Sequence, residues 1–191
     1  MTGKHDICPA SHAGMLDHPI RRLIQSPGRI LGRYIRAGDR VLDVGCGPGF
    51  FSRAMARMVG ESGCVVAADL QDEMLAMLRE RAEKEGILSR IQTHRTRPET
   101  LELGKADPFD FVLAFYVVHE TPDAGRFFGE IAAALRPGGR MLVVEPSHHV
   151  DEQEFEGEVA AARAAGFVPE KGPWVLFSRT VLLKKPAEKK Q

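Results

Sequence analysis

Val41-Leu42-Asp43-Val44-Gly45-Cys46-Gly47-Pro48-Gly49-Phe50 is the stretch that decides the fold. It opens as a buried strand, places an acid at the strand's C-terminal end, and turns through three glycines into an amphipathic segment at Phe50-Phe51-Ser52. A strand feeding a helix through glycines is how α/β proteins bring bare backbone close to a nucleotide-like ligand. The spacing is Gly-x-Gly-x-Gly, with Phe50 where the last glycine of a dinucleotide fingerprint would follow. That departure argues against a nicotinamide or flavin pyrophosphate and for another adenosine-containing ligand.

Outward from this segment, strand and helix patterns alternate. Val41–Val44 reads as a strand, Phe50–Val59 as a helix and Cys64–Ala68 as a strand ending at Asp69. A helix over Asp72–Glu85 carries Met74, Leu75 and Leu78 on one face and stops at Gly86. A weaker strand follows at Ile91–His94, then a fully apolar one at Phe109–Ala114, as a sheet covered on both faces requires. The pattern continues with a helix over Arg126–Leu135 closed by Pro137-Gly138-Gly139, a strand at Met141–Val144 and a helix over Glu154–Ala165. Two last strands, Phe167–Val168 and Ser178–Leu183, turn at Lys171-Gly172-Pro173. The expectation is an α/β fold: three layers, Rossmann-like, with a mostly parallel sheet and a C-terminal antiparallel hairpin. Ahead of it, Pro19–Ile24 and Gly28–Ile35 read as short helices, and residues 184–191 as a charged, loose tail.

Composition narrows the class. A chain of 191 residues with 43% hydrophobic and 27% charged residues is one ordinary globular domain. Lys+Arg and Asp+Glu both count 26, so no basic footprint points to DNA or RNA. The longest apolar run, Phe111 to Val118, falls far short of the ~20 residues of a membrane helix. The N-terminus carries no apolar signal core, and Cys8, Cys46 and Cys64 show no paired framework, so the expected location is cytoplasmic.

Four segments in order resemble the class I S-adenosylmethionine-dependent methyltransferases, in particular the small-molecule branch around the ubiquinone/menaquinone C-methyltransferases. They are Val41–Gly49, Val65–Leu70 with Met74-Leu75 following, Phe109–Ala114 running to Glu120, and Leu135–Pro146 with its Arg-Pro-Gly-Gly turn. The resemblance covers roughly residues 38–183, the expected cofactor domain, and makes residues 1–37 the expected lid. It implies S-adenosyl-L-methionine as cofactor and a small-molecule methyl acceptor. The implied cofactor contacts are Asp43, Gly45, Cys46, Gly47, Gly49, Asp69, Leu70, Met74 and Ala114.

The residue chemistry runs alongside. Asp43 is an acid at the mouth of an apolar strand, where charge needs a partner. Gly45, Gly47 and Gly49 carry no Cβ to obstruct a ligand. Asp69, about 20 residues past the loop, is placed to accept from ribose hydroxyls, or else to cap the helix at Asp72. Leu70 and Met74 suit the flat adenine, or the core. Relatives commonly place an acid and a free backbone N–H after the third strand. Here the stretch is Arg97-Pro98-Glu99-Thr100-Leu101, so either the register shifts by a residue or two or the adenine is held otherwise, with Glu99 or Thr96 as candidates.

Tyr116, His119 and His148 are the catalytic candidates, with Glu120, Glu145 and His149 as further groups able to orient or deprotonate an acceptor. Packing is the competing role for His119; Tyr34 and Met15-Leu16 either face the acceptor or pack. Cys8, His12, His148 and His149 are of ligand type for zinc or copper, but their spacing matches no recognised metal motif, and no metal is expected. The Asn/Asp-Pro-Pro-Tyr signature of amino-methylating enzymes is missing. A cofactor-binding sensor without turnover, an RNA or protein methyltransferase and a dehydrogenase are the alternatives.

Overall fold

The computed structural model describes residues 25–104 and 107–187. Cys8, His12, Met15-Leu16 and Pro19–Ile24 lie outside the described residues. Seven strands form one sheet: β1 (Arg40–Val44), β2 (Cys64–Asp69), β3 (Ile91–Arg95), β4 (Phe109–Phe115), β5 (Leu135–Pro146), β6 (Val168–Lys171) and β7 (Ser178–Lys184), in the order β3-β2-β1-β4-β5-β7-β6. The first five strands in that order run parallel, whereas β7 pairs antiparallel with both β5 and β6. The order reverses between β1 and β4, and in open α/β sheets ligands bind outside the carboxyl ends of the strands at such a switch point.

Strand alternation divides the core into two layers. Val41, Val65, Ala67, Phe111, Leu113, Phe115, Leu142 and Val144 face one cluster, under α1 (Pro27–Leu31), α2 (Phe50–Val59) and α3 (Asp72–Lys84). Leu42, Val66, Ala68, Val112, Ala114, Met141 and Val143 face the other, under α4 (Ala124–Ala134) and α5 (Glu152–Ala164). This two-sided burial is why the central strands read as continuous apolar runs rather than alternating ones.

Several boundaries shift from the sequence expectation. α4 starts at Ala124 because Asp123 accepts from the N–H of Arg126, and it ends at Ala134 because Leu135 already pairs with Phe109 in the sheet. The Pro137-Gly138-Gly139 turn therefore lies inside β5, as an irregularity between Leu135 and Arg140. α5 starts at Glu152 because Asp151 and Glu154 form a reciprocal capping box. The final pair is Val168–Lys171 with Ser178–Lys184, longer than the apolar residues alone suggest, since edge strands need only one covered face. Lys184 belongs to β7, and Lys185 is tied by its ammonium to the carbonyls of Ala132 and Leu135, so the sheet's last strand extends into the expected tail.

The helix expected over Gly28–Ile35 is the shorter α1, begun by Pro27. Tyr34 is buried and stacks on Phe111 with ring centroids 5.8 Å apart, which decides for packing over acceptor contact. Residues 27–35 are thus part of the core layer on that face. Among the described residues, no helix is long and apolar enough to cross a membrane.

Candidate functional site

The loop from Val44 to Phe50 is held from several sides. The N–H of Cys46 donates to the carbonyl of Ala68 (3.0 Å), and the N–H of Gly47 to the Asp69 carboxylate (2.8 Å). Arg81 of α3 donates to the carbonyl of Pro48 (3.3 Å). Gly45, Gly47 and Gly49 have φ of 66°, 52° and 86°, the left-handed region that L side chains avoid.

The space around two of them is filled by protein. A Cβ on Gly45 would lie 2.1 Å from Cγ2 of Val117, and one on Gly49 would lie 2.1 Å from Cδ1 of Leu78. These glycines therefore let the loop close against the β4 loop and against α3; ligand clearance, the expected reason, is not what fills the space at 45 and 49. Gly45 is exposed and Gly47 half-buried, so the outer edge of the loop stays open.

Asp43 is buried at the end of β1 and accepts from the Ser52 hydroxyl in the first turn of α2. The positive end of that helix favours a carboxylate there. Asp69, at the end of β2, accepts from the N–H of Gly47 and of Gln71 (2.9 Å). Burial raises its carboxyl above the usual range, partly offset by backbone N–H groups of Gln71, Gly47 and Leu70. α3 has Gln71 as N-cap and no side-chain cap bond.

The fit to an adenosine cofactor can be judged here. A desolvated acid beside an open glycine loop is a site where hydroxyl donors restore lost hydrogen bonding, and a second buried acid stands at the adjacent strand end. These two acceptor carboxylates suit a ribose diol and a cationic amino-acid moiety.

The remaining expected contacts separate. Leu70 is half-buried beside Asp69, and Met74 is buried on α3. Ala114 is fully buried with its side chain in the core layer of α4 and α5. The Cys46 thiol is buried; desolvation pushes it well above its usual range, with the Asp43 and Asp69 charges adding to the rise. It is a packed group in the loop. After β3, Thr96 is buried and its N–H donates to the carbonyl of Asp69 (3.0 Å), while Arg97 and Thr100 exchange backbone bonds around exposed Pro98 and Glu99. The Arg97 side chain pairs with Glu102 (3.2 Å). Of the two adenine candidates, Thr96 is the one adjoining Asp69.

The catalytic candidates sit past β4 and β5. Val118–Glu120 form one turn of 3-10 helix. Glu145, fully buried at the end of β5, accepts from the N–H of Val117 (3.3 Å) and Val118 (2.8 Å) through Oε1, and its Oε2 bonds Nδ1 of His119. Burial alone would lower the His119 pKa, but the hydrogen bond and charge of Glu145, with Glu120 and Glu158, raise it above the ordinary imidazole value. Glu145 thus fixes the turn, the ring and its tautomer together. Val117 of that turn is the residue packed on Gly45, so His119 is registered to the glycine loop.

Tyr116 has φ 64°, and its hydroxyl lies 2.6 Å from the Ser178 hydroxyl and accepts from Gln25 (2.9 Å). His148 and His149 are exposed. His149 lies nearly parallel to His119 with centroids 6.2 Å apart, and the His148 and His149 rings are tilted with centroids 4.5 Å apart. Of the two candidate histidines past β5, His149 is the one whose ring stacks with His119. Among the described residues, no group of three His, Cys, Asp or Glu side chains is arranged to hold a metal ion.

Sequence reasoning missed Glu158 on α5, whose only signal is an acid at the inward spacing Phe155-Glu158-Val159-Ala162. It also missed Ser52, Gln25 and Ser178, polar residues that carry no motif.

Known proteins match this arrangement. Residues 41–139, just over half of the chain, match the family model described as a methyltransferase domain. The ubiquinone/menaquinone biosynthesis C-methyltransferase UbiE of Cronobacter sakazakii is 35% identical over 118 residues, which are 62% of this chain and 47% of that protein. The chain spans about half the length of the curated relatives it matches. In fold it is similar to a SAM-dependent methyltransferase from Aquifex aeolicus, with a TM-score of 0.83 and 24% identity over 94% of this chain and 100% of that one. It is also similar to the cyclase SpnF, with a TM-score of 0.68 and 18% identity over 87% of this chain and 81% of that one; these two likenesses speak to fold alone. The family match over residues 41–139, with the sheet order, places the chain in the class I S-adenosylmethionine-dependent methyltransferases, the family whose methyl donor is S-adenosyl-L-methionine.

Proposed function

We propose that this chain transfers a methyl group from S-adenosyl-L-methionine to a small-molecule acceptor that gives up a proton in the reaction, with His119 as the base. The observation that carries this reading is the bond between His119 Nδ1 and fully buried Glu145, in a turn packed on the cofactor loop. With Nδ1 committed to Glu145, Nε2 is left as the basic atom of the neutral ring.

The bound cofactor supplies an electrophilic methyl on a sulfonium, so the protein's task is alignment and exclusion of water. Asp69 would hold the ribose, the loop from Gly45 to Gly49 with Asp43 the amino-acid end, and Thr96 with Leu70 the adenine edge. The relatives' name as C-methyltransferases of quinone biosynthesis supports a small organic acceptor for this chain too. The neutral formal charge is in keeping with that choice.

Two measurements test the reading. Calorimetry should detect binding of S-adenosylmethionine and of S-adenosylhomocysteine. Incubation with S-adenosylmethionine and a metabolite extract should accumulate S-adenosylhomocysteine, and His119→Gln should slow this by about 10²-fold or more while leaving cofactor affinity unchanged. Cofactor binding without product from any broad extract would replace the enzyme reading with that of a sensor. Equal rates for the variant would remove His119 from the chemistry.

A further inference from the structure

On β5, Met141, Val143 and Glu145 point to the layer covered by α4 and α5. On α5, Phe155, Val159 and Ala162 pack into that same layer, and Glu158 lies on their stripe. Helical side chains lean toward the N-terminus of their helix. Glu158 is thereby directed at the end of α5 that adjoins the C-terminal end of β5, where Glu145 and His119 sit. One carboxyl oxygen of Glu158, Oε2, is buried without a hydrogen-bond partner. An acid on an apolar stripe with a buried oxygen unpaired is costly as an anion and tolerable as a neutral acid.

We propose that Glu158 is the third member of the His119–Glu145 pair, a carboxylic acid that holds a proton against Glu145 and gives it up when His119 becomes protonated. The proposal rests on His119 being the base. With a neutral imidazole, an ionised Glu145 and a protonated Glu158, the three groups carry one negative charge. When Nε2 takes the acceptor's proton, Glu158 releases its own to solvent past its partly exposed edge, and the cluster keeps that charge. No net charge is then created in the buried layer during the reaction, which is what a low-dielectric site requires. Glu158 is a positioning residue in this scheme, acting on the substrate only through His119.

The electrostatics agree with the geometry. Burial and the Glu145 charge push Glu158 up to about 8, with Glu154 adding to the rise and His119 opposing it. Glu145, Glu120 and Glu158 in turn act on His119, and the His149 ring lies alongside. On the elements packed against α5, Arg126 and Glu130 of α4 pair with each other (3.2 Å). Arg179 of β7 donates to the Val150 carbonyl, and Glu170 and Lys171 of β6 are exposed.

Proton NMR of the His119 ring, assigned by loss of its signal in His119→Gln, tests this on the intact chain without any acceptor. In the wild type the His119 titration should show two inflections, the mark of a coupled pair. In Glu158→Gln it should show one, moved to lower pH by about half a unit or more, while Glu156→Gln on the exposed side of α5 leaves the curve unchanged. A single wild-type inflection that Glu158→Gln does not move would overturn the proposal. The titration does not depend on His119 being the base, so failure of that reading appears separately, as turnover insensitive to His119→Gln.

Discussion

At the scale of single residues, the site is built from acids taken out of water, and each does something different with its lost hydration. Asp69 regains backbone donors, the N–H groups of Gly47 and Gln71. Asp69→Ala should weaken S-adenosylmethionine binding by at least ~1.5 kcal/mol, the scale of a charged hydrogen bond, and leave the far-ultraviolet circular dichroism intact; unchanged affinity in calorimetry would place the ribose elsewhere. Glu145 accepts from two N–H groups and bonds an imidazole. Glu158 is the exception, and its elevated value of about 8 has a consequence for stability. A carboxyl that binds its proton more tightly folded than unfolded contributes stability below its ordinary value near 4.5, and that contribution is lost as pH rises toward 8. Glu158→Gln should therefore gain stability over wild type at pH 9 by roughly 1 kcal/mol, after discounting for solvent screening at its exposed edge, and show no gain at pH 5. Urea unfolding at the two pH values reads the difference directly.

At the scale of elements, the glycine loop and the His119 turn form one packed unit. Gly45 has no room for a Cβ because Val117 occupies the space, and Val117 is held by Glu145 at the end of β5. Three strand ends, those of β1, β4 and β5, are locked in register by this contact. Gly45→Ala should cost about 2 kcal/mol or more, from the left-handed backbone and the clash together, and should disturb the His119 ring signal as well as cofactor affinity. Adding Val117→Ala should recover part of the loss, since it removes the clash but not the backbone penalty; a double variant no better than Gly45→Ala would show that Val117 is not the obstacle. The loop's legibility in sequence was real but incomplete. The three glycines announced a tight turn, while the partners that make two of them necessary, Val117 and Leu78, lie 72 and 29 positions away in the chain.

At the scale of the whole molecule, the sheet is graded from a doubly covered centre to an exposed edge. β1 and β4 are buried along nearly their full length, whereas β6 is exposed at three of its four residues. Amide hydrogen exchange should be slowest in β1, β4 and the Met141–Val144 part of β5, and fastest in β6; equal protection across the sheet would contradict this grading. The central strands, the glycine loop, the acids at strand ends and the antiparallel finish were all readable from local pattern, because burial on both faces and left-handed turns leave their mark on consecutive residues. Boundaries such as the start of β5 at Leu135 were not, because pairing with Phe109 overrides the local preference for a turn at Pro137. The sequence by itself determined the family and the cofactor, through four segments in order that resemble it, and offered Asp43, Asp69 and His119 as candidates because each stands at or just past a strand end. Only the tertiary structure decided that Glu145 holds His119, that the His149 ring lies alongside it, that Tyr34 is core, and that Glu158 carries a buried unpaired oxygen on the apolar stripe of α5. Those relations are made by strand register and helix packing between residues far apart in the chain, and no local pattern encodes them.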